Sequence, residues 1–323
     1  MLDSPFYLRD STEMHTDPFS EILKFADAES LVTGGFTAGG DWALHFPPPD
    51  KIKFFAIVKG SCWVMLEGQA EPIYFCTGDV GLLNARRAFI VASSPEIKPV
   101  DAMSVFKAGE RNYAALGEGK EFEYMGGHVL LDPHRGQMLA QVLPQWIHIP
   151  AASPQAASFR WLLDQLIAER ETAQPGTQLA SAQLSQLLFI QILRAHLQTS
   201  SSLPAGLLRA LGDARLAPAL QLIHANPARS WRLEDLAQAC AMSRTTFAEY
   251  FRNVSGITPV AYLTQWRMRL AEKALREQAD QIAMVAQSLG YTSESAFSNA
   301  FKRETGLSPR AWRNAARNTV SRE

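Results

Sequence analysis

Two periodicities divide the chain. From Phe54 to Ser93 the apolar residues come in short β-branched and aromatic runs, FFAIVKGSCWVMLEGQAEPIYFCTGDVGLLNARRAFIVAS, cut by Gly60, Gly68 and Gly78. Short runs between turn residues are the pattern of a small antiparallel sandwich or barrel. Pro47, Pro48 and Pro49 stop any helix ahead of it. The stretch TGGFTAGG, residues 33 to 40, reads as a loop between strands. After Pro150 the period lengthens: Phe159, Leu162, Leu163, Leu166 and Ile167 recur at helical spacing, and Leu184, Leu187, Leu188 and Ile192 repeat it one helix later. The second helix also carries Phe189, Ile190 and Leu193, a wider apolar surface than one face needs, which predicts a second buried face such as a dimer seam. QTSSSLPAG, residues 198 to 206, has no apolar period and reads as a linker.

Beyond the linker everything reads as helix, and one small unit occurs twice. AMSRTTFAEYFRNVSGITP and GYTSESAFSNAFKRETGLSP align at a constant offset of 50 residues: Phe247 on Phe297, Phe251 on Phe301, Gly256 on Gly306 and Pro259 on Pro309. Each copy has a short amphipathic helix, a tight turn holding Met242 or Tyr291, a capping Ser243 or Ser293, and a second helix pinned by two phenylalanines one turn apart. This is helix-turn-helix spacing, with a plain helical hairpin as the alternative for either copy alone. Ala237 to Phe247 spans 10 residues and Ala286 to Phe297 spans 11, so the second turn is one residue longer. PVAYLTQWRMRLAEKALRE predicts a helix joining the copies.

Charge sharpens this division. From Asp213 onward there are 15 Lys and Arg against 10 Asp and Glu, and before it 16 against 22, so a basic last third of +5 follows an acidic remainder of −6. A basic module built from paired helix-turn-helix units points to double-stranded DNA as its partner. The length of 323 residues and an apolar share of 47% fit a soluble chain of two domains. No stretch approaches the roughly 18 apolar residues of a membrane span, and the N-terminus lacks a signal-peptide core, so a cytoplasmic location without membrane is expected. Three cysteines without a Cys-x-x-Cys pair provide no disulfide framework.

Residues 215 to 316, with RMRLAEKAL and GYTSESAFSNAFKRETGLSP, resemble the DNA-binding domain of the AraC/XylS family of transcriptional regulators. KGSCWVML, TGDVGLL and VLPQWIHIP resemble stretches of the cupin-type sensors of that family. The resemblance implies a multidomain chain: a cupin-like β-barrel or sandwich over residues 1–150, a helical dimerisation segment and linker over 151–206, and an all-α DNA-binding domain over 207–323. It further implies a homodimer that contacts RNA polymerase, needs no cofactor and answers to a small-molecule effector. Activation is the output it implies, with repression the alternative. Carried onto this chain, the first recognition helix presents Arg244, Thr245, Ala248, Glu249 and Arg252 to DNA. The second presents Glu294, Ser295, Ser298 and Asn299, with Lys302 and Arg303 nearer the phosphates.

An enzyme in the first half would need a catalytic set. The two histidines and glutamate of a metal-binding cupin strand are replaced by Phe54, Phe55 and Ile57, and LLNARRAFI follows Gly78 and Asp79 where a third histidine would stand, so no metal is expected. His45, His128, His134 and His148 are scattered. A metal-free barrel is still a container, and Trp42, Phe54, Trp63, Tyr74, Phe75 and Arg86 or Arg87 are candidates to line it. If the hairpin turns with Gln69 central, Cys62 lies opposite Cys76, and an oxidisable pair becomes an alternative sensing mode. A cupin-type enzyme fused to a helical module is the alternative reading of the whole chain.

Overall fold

The computed structural model describes residues 17–84, 86–106, 113–172, 174–199, 203–277 and 281–320. Packing divides the chain into two compact units: residues 24–203, and residues 204 onward together with the described residues up to Leu23. Helix α1 (Pro18–Phe25) crosses the first boundary; Asp17 caps it by accepting the Ser20 N–H at 2.9 Å.

The first unit is built on strands β1 (Glu29–Ala38), β2 (Ala43–Phe46), β3 (Ile52–Lys59), β4 (Ser61–Leu66), β5 (Ile73–Cys76), β6 (Val80–Leu83), β7 (Phe89–Ala92) and β8 (Val100–Asp101). Helix α2 (Ala102–Val105), β9 (Tyr113–Leu116), β10 (Phe122–Leu130), α3 (Gln137–Val142) and β11 (Trp146–Ile149) follow. Two sheets result, ordered β11-β6-β3-β10-β1-β9 and β5-β4-β7-β2-β8. Neighbours run antiparallel except β1 with β9 and β2 with β8. Alternation along each strand supplies the core between the sheets: Phe36, Phe55, Ile57 and Tyr124 from one meet Leu44, Val64, Phe75 and Val91 from the other.

The stretch expected as a loop at residues 33 to 40 is instead mostly strand: β1 runs through to Ala38. Its glycines serve close packing inside the sheet rather than a turn. A Cβ on Gly35 would lie 2.2 Å from the Tyr124 carbonyl oxygen, and the β1–β10 register shifts between Val32 and Gly34 as a bulge.

Helices α4 (Ala156–Thr172) and α5 (Thr177–Thr199) complete this unit. Part of α5's wide apolar surface is used internally: Leu188, Phe189, Ile192 and Leu193 are buried, while Leu179 and Leu187 stay exposed. At the β1 bulge the Val32 N–H donates to Ser185 Oγ of α5 at 3.2 Å, so the helix satisfies a backbone group that the irregular strand pairing leaves over. The helical segment shares one compact unit with the sheets.

The second unit holds α6 (Leu207–Gly212), α7 (Ala217–Ala225), α8 (Leu233–Ala239), α9 (Arg244–Ser255), α10 (Pro259–Glu277), α11 (Ile282–Ser288), α12 (Glu294–Thr305) and α13 (Pro309–Val320). Helix α10 is the predicted linking helix, and the pairs α8–α9 and α11–α12 are the two copies of the repeated unit. No helix among the described residues is long and apolar enough to cross a membrane.

Candidate nucleic-acid interface and sensor cavities

The two copies are held in the same way. Ser243 Oγ accepts the Thr246 N–H and Ser293 Oγ accepts the Ala296 N–H, each at 3.2 Å, so both second helices start on a serine cap. Both end on a left-handed glycine, Gly256 at φ 80° and Gly306 at φ 78°, whose N–H returns to the carbonyl four residues back at 2.9 Å. Phe247 and Phe251 are fully buried with ring centroids 5.7 Å apart, and Phe297 and Phe301 repeat that spacing. Ser255 and Thr305 donate back to Phe251 and Phe301 at 2.8 Å. Such a frame orients the remaining faces of α9 and α12 with little freedom.

On those faces lie the residues expected to meet DNA. Arg244, Thr245, Glu249 and Arg252 on α9, and Glu294, Ser295, Asn299, Lys302 and Arg303 on α12, are exposed, with Ala248 and Ser298 half-buried beside them. Arg244 is already engaged: its guanidinium meets Glu234 of α8 at 3.2 Å, an exposed pair that a phosphate or base edge can displace cheaply. Arg303 meets the neighbouring Glu304 at 3.4 Å.

The extra residue in the second turn is located by the backbone. Met242 N–H bonds to Ala237 and Tyr291 N–H to Ala286 in equivalent fashion, and the residue before each is left-handed, Ala241 at φ 52° and Gly290 at φ 79°. Counting on from there, Ser243 comes two residues later but Ser293 three, so Thr292 is the addition. Sequence reasoning missed the residue that holds this turn, Arg267 on α10. Its Nε donates to the Pro227 carbonyl at 2.6 Å and a terminal nitrogen to Arg229 at 3.0 Å, while its guanidinium lies 5.6 Å from the Tyr291 ring centroid. Burial pushes its pKa down, and the Tyr291 contact opposes this only in part.

In the β unit the cysteine pairing is corrected. Observed register sets Cys62 opposite Phe75 and Cys76 opposite Ser61, one step from the expectation. A one-residue slip turns side chains to opposite faces, so Cys62 is buried in the core while Cys76 is exposed. All three thiols are pushed up in pKa, Cys62 by burial, Cys76 by desolvation and the Asp79 carboxylate, and Cys240 by burial, which disfavours the reactive thiolate. Asp79 itself is a buried clasp: it accepts the Ala151 N–H at 2.7 Å and the Cys76 N–H at 3.1 Å and meets His148 Nε2 at 3.0 Å.

The seven candidate lining residues scatter. Trp42 and Phe75 fill the closed core. Phe54 projects from the face of β3 opposite to Phe55, against Gly127. Trp63 and Tyr74 pair at 5.0 Å on the outer face, with Tyr74 half exposed, so neither can line the interior. Arg87 is exposed near the Gly68 turn, and Arg86 stands on the rim of an open cleft of about 540 Å3 between the start of β3, the end of β10 and α3. A smaller recess of about 210 Å3 is lined by Phe46, Phe89, Phe106, Tyr124, Met103 and Lys53. No cluster of three or more His, Cys, Asp or Glu among the described residues is arranged to hold a metal.

Comparison with known proteins agrees with this division. A cupin family model matches residues 17–198 and a helix-turn-helix domain model matches residues 236–315. An AraC-like transcription regulator of Streptomyces lividans is 36% identical over 297 residues, covering 92% of this chain and 98% of that one. The HTH-type transcriptional regulator AlkR of Acinetobacter baylyi is 35% identical over 286 residues, covering 85% and 91%. The RCS-specific HTH-type transcriptional activator RclR of Escherichia coli is 30% identical over 306 residues, covering 93% and 98%. Among solved structures, the DNA-binding domain of AdpA in complex with a target DNA is 29% identical, with a TM-score of 0.33 over 34% of this chain and all of that one. These relatives are regulators rather than enzymes, and the chain belongs to the AraC family of DNA-binding transcriptional regulators, with an N-terminal cupin domain and a C-terminal helix-turn-helix domain.

Proposed function

We propose that the chain is an effector-controlled activator that binds as a homodimer to paired DNA half-sites and contacts RNA polymerase there. The observation that carries this reading is the repeated frame: two helices with identical caps and identical phenylalanine anchors, each with a polar exposed face. One chain then reads two major-groove segments about one helical turn, roughly 34 Å, apart. In the first segment Glu249 accepts from a cytosine amino group, Thr245 and Ala248 meet thymine methyls, and Arg244 and Arg252 take guanine or phosphate. The second helix offers shorter groups, Ser295, Ser298 and Asn299 beside Glu294, and reads bases less strictly, while Lys302 and Arg303 hold the backbone. Exposed Leu179 and Leu187 on α5 support a dimer seam on that helix. A small molecule in the β unit shifts the balance between two arrangements of the dimer, which it can do only by binding one of them more tightly.

Selection of bound sequences from a random duplex pool by the full chain tests this. A long motif in two blocks about one helical turn apart is expected; no enriched motif would sink sequence-specific regulation. On the selected site, Glu249→Ala is expected to change preference at one base position, whereas Lys302→Ala weakens all sequences alike and flattens the salt slope. Equal, sequence-independent effects would refute the division into base-reading and phosphate-holding residues.

A further inference from the structure

In the β unit a lysine faces inward with no ion-pair partner among the described residues. Lys53 stands two residues before Phe55 on β3, so both project from the same face of the strand. There it lines the 210 Å3 recess and makes no hydrogen bond or ion pair among the described residues. Its directly registered partner across β10 is another base, His128. Burial pushes the Lys53 pKa down, against the Asp50 carboxylate and with a smaller push from Lys51; burial, Lys51 and Lys53 push His128 down, again against Asp50. A half-buried lysine with one carboxylate nearby, and no hydrogen bond or ion pair among the described residues, is a site short of negative charge.

The remaining walls define what else the occupant must be. Phe46 and Phe89 stack at 4.8 Å with planes 8° apart, Tyr124 lies 6.5 Å from Phe46, and Phe106 lies 6.3 Å from it. Gly126 and Gly127 leave the β10 backbone bare; a Cβ on Gly126 would come within 2.8 Å of the Tyr124 ring. The volume is below the roughly 300 Å3 at which drug-sized pockets begin, which excludes bulky ligands. Among the described residues one lysine and no arginine line this recess, which balances a single charge and gives a multiply charged phosphate too few donors.

We propose that the recess binds a compact organic monocarboxylate, its carboxylate on the Lys53 ammonium and its apolar body against the Phe46–Phe89 stack and Tyr124. This rests on the reading of the β unit as the sensor and names the chemical class of its effector. Binding supplies an anion to the Lys53 ammonium through a charge-assisted hydrogen bond. It also touches β10, β3, β2 and β7 at once, strands of both sheets.

Calorimetric titration of the full chain at pH 7 with phenylacetate and hexanoate, each against its neutral amide, tests the proposal. At least one acid is expected to bind, with its amide at least about tenfold weaker. Lys53→Met, which keeps the length but not the charge, is expected to reduce the acid to the level of the amide, and Lys53→Arg to keep the preference. If Lys53→Met does not fold, protection of Lys53 from acetylation by the bound acid, read by mass spectrometry on the wild-type chain, decides instead. Binding of neither acid, an unchanged acid preference in Lys53→Met, or no protection overturns the proposal. A mobility shift on the selected duplex, run without acid, separates the failures: DNA binding without acid binding overturns the recess alone, and loss of DNA binding overturns the regulator reading.

Discussion

Alanine at Gly290 is expected to weaken the second helix-turn-helix unit far more than alanine at Gly306, although the two backbones differ by one degree, φ 79° against φ 78°. At Gly306 a Cβ meets nothing within 4 Å, so only the left-handed strain remains. That strain is about 1–2 kcal/mol, reduced by the roughly 0.5–1 kcal/mol that alanine removes from the entropy of the unfolded chain, for a net loss near 1 kcal/mol. At Gly290 the same Cβ would lie 2.0 Å from the Ala228 carbonyl oxygen, well inside the 3.4 Å of ordinary contact. The loop cannot simply retreat, because Arg267 holds the carbonyls of Pro227 and Arg229 on either side of Ala228. Overpacking of this kind costs about 1–3 kcal/mol, which brings Gly290→Ala to about 2–4 kcal/mol. Urea titration of the full chain, followed by hydrogen exchange to assign the loss to α10, α11 and α12, measures both variants. With a slope of about 1–3 kcal/mol per molar urea, midpoints should separate visibly. If the two variants fall within about 0.5 kcal/mol of each other, Gly290 is present for its backbone angle alone and the clamp by Arg267 is not rigid.

Three further outcomes follow from local geometry. Ala241→Gly should stabilise the first unit by about 0.5–1 kcal/mol, since Ala241 sits at φ 52° on an exposed turn; a loss of stability in the same titration would show that its Cβ has a packing role. His224 is held neutral at a pKa of about 4, by burial and against the Asp17 charge, with Nε2 2.8 Å from the Tyr262 hydroxyl and no partner for Nδ1 among the described residues. Because the folded pKa lies below the unfolded value near 6.5, stability is complete above pH 6.5 and falls as pH drops toward 4. His224→Gln should therefore lose about 2–3 kcal/mol less than wild type between pH 7 and pH 4.5, and equal losses would refute the assignment. Finally, a thiol reagent on the native chain should reach Cys76 first and Cys62 only after unfolding, and mild oxidant should form no Cys62–Cys76 disulfide; recovery of that disulfide by peptide mapping would contradict the β4–β5 register.

Sequence by itself determined what depends on neighbours within a few residues. A serine cap, two phenylalanines at i and i+4 and a left-handed glycine act within one helix, so Ser243, Phe247, Phe251 and Gly256 announce the first unit and their counterparts at an offset of 50 announce the second. The exposure of Glu249 and Lys302 follows from the same periodicity. Tertiary structure alone decided the inside of the β unit, because strand register is set by partners far along the chain and a single step reverses every face. That step parted Cys62 from Cys76 and put Trp63 and Tyr74 on the outside, and long-range pairing turned the glycines of β1 into a bulge and close contact rather than a loop. Lys53 sits in the run IKFFAIVK, where charge within a strand was visible; that it faces inward opposite His128 required the pairing of β3 with β10.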